Sequence, residues 1–407
     1  MSPINAAVLG AGSRGVNYSN YSLLAPGELN IVAVAEPRED RRKAFADKFS
    51  VPAENCFSSW EELLSKPKLA DVVFVCTLDE EHTGPALMAL EKGYHVLLEK
   101  PMSNREEECI AIEAAARKAG KVLAVCHVLR YTAFYQTLKK LIDDGAVGEV
   151  TNITQIENVA YWHQAHSFVR GNWRRSDETS PMILAKCCHD MDILLWLSGK
   201  DCRKVHSFGS LRHFTPENAP QGAPERCLDG CPHKDSCIYY APKIYLTGEK
   251  GWPVDVLTTD LTVEGITKAL KEGPYGRCVY HCDNDVVDRQ VVSLEMEDGV
   301  LCTQTMTAFS QKCHRQLKIQ GTLGLIEADM DTNEVWLQTF GGELKKVEVD
   351  TSDTSGHGGG DYGLLRDFLN ILRSGGESLT SARKSLQSHL ICFAAERSRL
   401  EGRVIEL

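Results

Sequence analysis

The chain has 407 residues, a formal charge of −11, 43% hydrophobic and 25% charged residues, an ordinary composition for a globular protein with room for two cores. The acidic balance, with no run of five basic residues, excludes a nucleic-acid partner, and no window approaches the roughly 18 apolar residues of a membrane span. Fifteen cysteines, an odd count in a long chain opening on a strand rather than a signal peptide, read as reduced thiols of a cytoplasmic protein, with some available to a metal.

The first predicted strand, Ala6–Leu9, runs into "GAGSRG", where Gly10, Gly12 and Gly15 have G-x-G-x-x-G spacing at a helix start. Gly10 serves the tight turn, Gly12 lets the backbone approach a pyrophosphate, and Gly15 lets helix and strand pack. Ser13 and Arg14 fall in the first helical turn, whose amides and dipole favour phosphate. The second strand, Ile31–Ala35, ends at Glu36, 21 residues beyond Gly15. A carboxylate there accepts both ribose hydroxyls and repels a 2′-phosphate, so NAD is favoured over NADP, with Arg38 moderating the preference.

A helix over Arg38–Phe49 follows, and the strand Val72–Cys76 ends in "VCTLDEEH". Thr77 and His82 emerge there at the carboxyl edge, where open α/β sheets bind ligands; His82 either faces the cofactor or simply starts a helix. After the helix Thr83–Lys92 comes "YHVLLEKPMS", in which the apolar run Val96–Leu98 ends on Glu99 and Lys100 before Pro101 stops the pairing. Lys100 then projects toward the nicotinamide, and a partly desolvated lysine serves as general acid or base. Ser103 and Glu106 have capping-box spacing for the helix Arg105–Ala119. With Val122–Val125, these strand–helix units predict a doubly wound parallel sheet, a Rossmann domain over residues 1–126.

Residues 127–407 read as an α+β domain with a large, mostly antiparallel open sheet. A helix covers Phe134–Ile142, a strand Val150–Ala160, and a second helix carries "MILAKCCHDMDILLWL"; "RQVVSLEM", "VLCTQTMTAF", "RQLKIQG", "EVWLQTF" and "KKVEVD" are strand-like. Between them, "YWHQAHSFVRGNWRR" offers His163, His166, Arg170, Asn172, Trp173 and Arg174 as donors for hydroxyls and an aromatic face for sugar C–H surface. An irregular, Cys-rich insertion spans about 213–275. Its Cys227, Cys231 and Cys237, joined by Cys278 downstream, would complete a tetrahedral thiolate site for structural zinc or an iron–sulfur cluster, against free thiols. "GHGGGDY" sets His357 on a glycine loop able to close over substrate, and "SLQSHLICFAAERSRL" reads as a last helix packing back on the body.

"GAGSRG", "LLEKPMS" and "CHDMDILLWLSG" together resemble the Gfo/Idh/MocA oxidoreductase family, over nearly the whole chain. The resemblance implies a Rossmann domain, a second domain whose open sheet forms a homo-oligomer interface, and chemistry on a secondary alcohol of a sugar, inositol or polyol. It gives Lys100 the family lysine's part and His189 that of the histidine on the second-domain helix. Many family dehydrogenases carry an aspartate four residues before that histidine, where this chain has Ala185. Lys186 and Asp190 are i,i+4 neighbours that either pair or leave Lys186 on the catalytic face beside His189, with Asp190 toward substrate. The expected activity is NAD-dependent oxidation or reduction of a secondary hydroxyl. The alternatives are redox-neutral glycoside cleavage by oxidation and elimination, and a non-catalytic NAD(H) sensor.

Overall fold

A computed structural model describes residues 2–353 and 355–407. The first sheet is parallel, with strands β1 (Ile4–Leu9), β2 (Leu29–Ala35), β3 (Cys56–Phe57), β4 (Val72–Val75), β5 (His95–Leu98) and β6 (Leu123–Val125) in the order β3-β2-β1-β4-β5-β6. Helices α1 (Ser13–Leu24), α2 (Glu39–Phe49), α3 (Trp60–Ser65), α4 (Thr83–Glu91) and α5 (Glu106–Ala119) join them. Alternate strand residues feed two cores. Ala7, Leu9, Val73, Val75, Val96 and Leu98 pack on one face, and Ala6, Val8, Val72, Phe74 and Leu97 on the other. Burial on both faces is why these strands are continuously apolar. The expected capping box does not form: α5 has no side-chain cap, because Ser103 donates instead to Glu108 Oε2 at 2.5 Å.

The chain continues through α6 (Ala133–Asp143), β7 (Val150–Ala160) and α7 (Tyr161–His163), which widens into a π-type turn over Gln164–Arg170. Next come α8 (Met182–Ala185), α9 (Cys188–Ser198) and β8 (Cys202–Ser210); the insertion after β8 holds α10 (Ala241–Tyr245) and α11 (Val263–Glu272). The remaining elements are β9 (Arg289–Met296), β10 (Leu301–Ser310), β11 (His314–Gly321), β12 (Gly324–Asp329), β13 (Glu334–Thr339), β14 (Leu344–Val347), α12 (Gly360–Ser374), α13 (Ala382–Glu401) and β15 (Ile405–Glu406). Nine strands form the second sheet in the order β14-β13-β12-β11-β7-β10-β9-β8-β15, with β7 and β10 its parallel pair. On β9 and β10 buried and solvent-facing residues alternate, so helices cover one face while Phe208, Val291, Leu301 and Phe309 stand exposed. Among the described residues, no helix is long and apolar enough to cross a membrane.

The helix expected across "MILAKCCHDMDILLWL" divides at Lys186 and Cys187. At this break the Ala185 carbonyl accepts a hydrogen bond from Lys100 Nζ at 3.0 Å. The last helix packs against α5, α8, α9 and β8, tying the two sheets together.

Candidate functional site

The glycine turn after β1 is fixed by close backbone approach. Gly10 has φ +94°, and a Cβ on it would lie 2.4 Å from the Cys76 carbonyl oxygen; one on Gly15 would lie 2.0 Å from the Gly10 oxygen. At Gly12 a Cβ would meet only the Arg41 guanidinium, at 3.9 Å. The first turn of α1 has neither an acidic side chain nor a side-chain cap, so its dipole end is left for an anion. Glu36 ends β2 with its carboxylate accepting from the amides of Ala11 (2.9 Å) and Arg38 (3.0 Å), at the mouth of the turn. Arg38 itself turns to Asp40 at 2.9 Å. Thr77 Oγ1, after β4, is buried with no hydrogen-bond partner. An open turn, an uncapped helix start, a placed carboxylate and an orphaned hydroxyl fit a dinucleotide. Arg38, Arg41 and Asn172 line a cleft of about 670 Å³ with Lys268 and Tyr275 of the insertion, at the side where the adenosine would lie.

The two charges that end β5 part company. Glu99 is buried and accepts from Arg14 Nε and the Tyr18 hydroxyl, each at 2.7 Å. Burial alone would raise its pKa, but Arg14 and Lys100 outweigh burial and hold it below the usual carboxylate value. Arg14 also pairs with Asp361 at 2.8 Å, so Arg14 and Glu99, expected at the cofactor, hold one another in place at the carboxyl edge. His82 is likewise a tie: Nδ1 lies 2.6 Å from the Pro101 carbonyl and Nε2 3.2 Å from that of Thr77, joining the loops after β4 and β5. Lys100 instead crosses to the Ala185 carbonyl.

Around that crossing lie Lys186, His163, His189 and His357. Burial, together with Lys100 and His127, pulls His189 well below the ordinary histidine value, and its Nδ1 has no partner. The imidazole is neutral at neutral pH, with Nδ1 left open to a hydrogen bond from a ligand. Burial and the charge of Lys186 do the same to His163, whose Nδ1 lies 3.2 Å from Cys313 Sγ. The His357 ring is 6.3 Å from that of His189, and its Nδ1 is 2.9 Å from Asp361 Oδ1. The glycine loop thus links this pocket to Arg14 on α1. Asp79, between β4 and α4, accepts from the Trp173 indole at 3.1 Å and the Ser180 hydroxyl at 3.1 Å, clasping the second domain onto the first.

Several residues expected to hold substrate have partners within the protein. His166 is buried, 2.9 Å from the Tyr245 hydroxyl and stacked on Tyr275. Arg170 is fully buried and donates to the carbonyls of Arg277 and Tyr239. Arg174 pairs with Asp283, Trp173 is engaged by Asp79, and Asp190 is buried against Arg315. Of these, His166 and Arg170 anchor an insertion poor in regular structure. Lys186 does not pair with Asp190, since the helix break between them sends it to Glu157 on β7.

The expected metal site is not formed. Cys227, Cys231, Cys237 and Cys278 line one small cavity with Arg170 and His233. Among the described residues, however, no group of three or more His, Cys, Asp or Glu side chains is placed to hold an ion. Cys227 Sγ accepts from the Ala241 amide at 3.4 Å, and burial raises the Cys278 thiol to about 11.

Sequence reasoning passed over Asp79, Glu157, Arg315, Cys313, His127 and Trp252, whose indole lies 4.9 Å from the His163 ring. Glu157 and Arg315 carry a legible signal, because each occupies an inward, period-2 position of its strand where an apolar residue belongs.

A family model described as an oxidoreductase family's NAD-binding Rossmann fold matches residues 4–127, and that family's C-terminal alpha/beta domain matches 139–407. The oxidoreductase-named YteT of Bacillus subtilis (strain 168) is 26% identical over 347 residues, 81% of this chain and 78% of that protein. A D-glucoside 3-dehydrogenase of Escherichia coli (strain K12) is 33% identical over 154 residues, 37% of this chain and 42% of that protein. Levoglucosan dehydrogenase in complex with NADH shares the fold with TM-score 0.76 at 18% identity, covering 100% of this chain and 99% of that one. With both domains matched in order, the chain belongs to the Gfo/Idh/MocA family of NAD-binding oxidoreductases.

Proposed function

We propose that this protein uses NAD to oxidise or reduce a secondary hydroxyl of a sugar, glycoside or polyol. The observation that carries the proposal is Lys100 Nζ reaching the Ala185 carbonyl at 3.0 Å. That contact brings the end of β5 and the break between α8 and α9 together at the carboxyl edge of the parallel sheet, where such sheets take their ligands. Gly10, Gly12, Ser13, Gly15, Glu36 and Thr77 would hold the dinucleotide, which when bound supplies the acceptor for the carbinol hydride. Neutral His189 accepts the hydroxyl proton, while Lys100, oriented by the Ala185 carbonyl, donates to the substrate oxygen. His163, Trp252 and His357 border the space where the sugar ring would sit. The glucoside and levoglucosan dehydrogenases among the related proteins support a carbohydrate substrate.

A second reading is redox-neutral glycoside cleavage, favoured by two neutral imidazoles, His163 and His189, beside charged Lys186. A base and an acid are then both at hand for elimination next to a new carbonyl. A panel of methyl glucosides, aryl glucosides and inositols with added NAD separates the two. A dehydrogenase builds up NADH in step with oxidised product, whereas the redox-neutral enzyme frees aglycone with no net NADH. Failure of every compound in both readouts refutes the proposal.

Three further assignments complete the proposal. Residues 1–126 form the cofactor domain and 127–407 the substrate domain. The exposed apolar row Phe208, Val291, Leu301 and Phe309 makes the open sheet a homo-oligomer interface, to be tested by light scattering of wild type and Phe309→Glu. The free state of all fifteen cysteines suits a cytoplasmic enzyme.

A further inference from the structure

Ala185 leaves the site without the carboxylate expected on the helix before His189, and a buried ionic network lies directly behind the gap. Glu157 on β7 and Arg315 on β11 are cross-strand partners, with Arg315 Nε 2.9 Å from Glu157 Oε2. The other carboxylate oxygen of Glu157 lies 3.2 Å from Lys186 Nζ. Arg315 also donates to Asp190, at 2.7 and 3.2 Å. Side-chain exposure is 0% for Asp190, 1% for Glu157 and 9% for Arg315, but 18% for Lys186. The network therefore runs from a dry interior to one cation at the pocket. Replacing buried ion networks by apolar groups is often neutral or stabilising, so stability alone is a weak reason for four charges among Ile153, Val159, Leu317 and Ile319.

Resting on the oxidoreductase function proposed above, we infer that Glu157 is the positioning residue that presents Lys186 Nζ to the substrate's reacting oxygen, supplying from β7 the carboxylate missing at Ala185. Lys186 thereby stabilises negative charge on that oxygen. As the O–H bond breaks, the proton passes to His189. The C–H electron pair leaves with the hydride, C=O forms, and Lys186 keeps all its protons. Burial opposes the charge on Lys186, but Glu157 together with Cys313 and Asp190 outweighs it and raises the lysine above its ordinary value, which suits a fixed donor and not a base. The titratable and charged groups facing Lys186 are Glu157 from β7, Arg315 from β11, Asp190 from α9, Cys313 before β11, His163 from α7 and His357 from the glycine loop.

Glu157→Gln, Lys186→Arg and Lys186→Met are compared on methyl glucoside or inositol, whichever is turned over. Glu157→Gln is expected to lower kcat by about 10- to 100-fold, with little change in KM, and to move the alkaline limb of the pH profile to lower pH. Lys186→Arg should keep more activity than Lys186→Met, with NADH affinity unchanged in all three. A readout without turnover is acetylation of Lys186 followed by mass spectrometry, which should set in at lower pH in Glu157→Gln than in wild type. The inference is overturned if Glu157→Gln changes only the melting temperature, or if Lys186→Met keeps wild-type kcat; the lysine variants decide the matter if Glu157→Gln does not fold. A silent Glu157→Gln beside an inactive Lys100→Met refutes this inference alone, whereas an active Lys100→Met refutes the function beneath it.

Discussion

The two glycines of the first turn should fail in different ways when given a methyl group. At Gly15 the new Cβ lies 2.0 Å from the Gly10 carbonyl oxygen, against an ordinary contact of 3.4 Å or more, so backbone must yield by about 1.4 Å (3.4 − 2.0). Overpacking of this kind costs about 1–3 kcal/mol, a fall in Tm of roughly 3–10 °C for domains of this size. The same shift pulls the start of α1 away from the pyrophosphate. At Gly12, with φ −75°, alanine is unstrained and touches only the Arg41 guanidinium at 3.9 Å. Its methyl group fills space that the cofactor needs and nothing else does. Gly12→Ala should keep the wild-type Tm within about 1 °C yet weaken NADH binding by about 10- to 100-fold, or roughly 1.4–2.8 kcal/mol. Fluorescence titration with NADH and a thermal melt, run on both variants, measure each effect. Wild-type NADH affinity in Gly12→Ala would refute the placement of the pyrophosphate at this turn.

Glu36→Ala removes the carboxylate from the ribose position; NADH affinity should fall by about tenfold while NADPH affinity rises, as titration with both cofactors reads out. Asp361→Asn breaks a cluster in which Arg14 and His357 together outweigh burial and hold the carboxyl below its usual range. Such a cluster stabilises fully above the unfolded carboxylate value and loses that contribution as pH falls through the folded one. The variant should therefore be less stable by about 1–3 kcal/mol from neutral pH down to about 5, the deficit closing below about pH 4 in urea melts. Burial also lowers His166 and His389 to about 3. Both stay neutral in the fold but charge near pH 6.5 when unfolded. Stability should thus be full above that pH and fall by about 1.4 kcal/mol per pH unit per histidine below it. His389→Gln should flatten that slope between pH 6.5 and 5.

The parallel sheet was legible because its strands obey a burial rule and its glycines answer a steric one; Gly10 and Gly15 have no space for a side chain. Lys100 stood out because it is a charge ending an apolar strand at the edge where such sheets take ligands. The loop of His163 to Arg174 was harder, since a sequence does not distinguish a polar group that meets a ligand from one that pins an insertion. Arg170 and His166 turned out to be pins. The break at Lys186 carries no proline or glycine, so no local signal marks it, and on a continuous helix pairing with Asp190 stayed open beside a place on the catalytic face. Three cysteines close in sequence with a fourth downstream imitate metal spacing, but thiolate geometry is set by tertiary packing that spacing does not contain.

The central claim is that Lys100, at the crossing between the two sheets, belongs to the reaction and not to the scaffold. The measurement is turnover by Lys100→Met and wild type of whichever glucoside or inositol the panel identifies, followed by NADH absorbance and product analysis beside an NADH titration. A kcat lowered by about 10²- to 10⁴-fold with NADH affinity and Tm preserved is the predicted result, and wild-type kcat in Lys100→Met would contradict it.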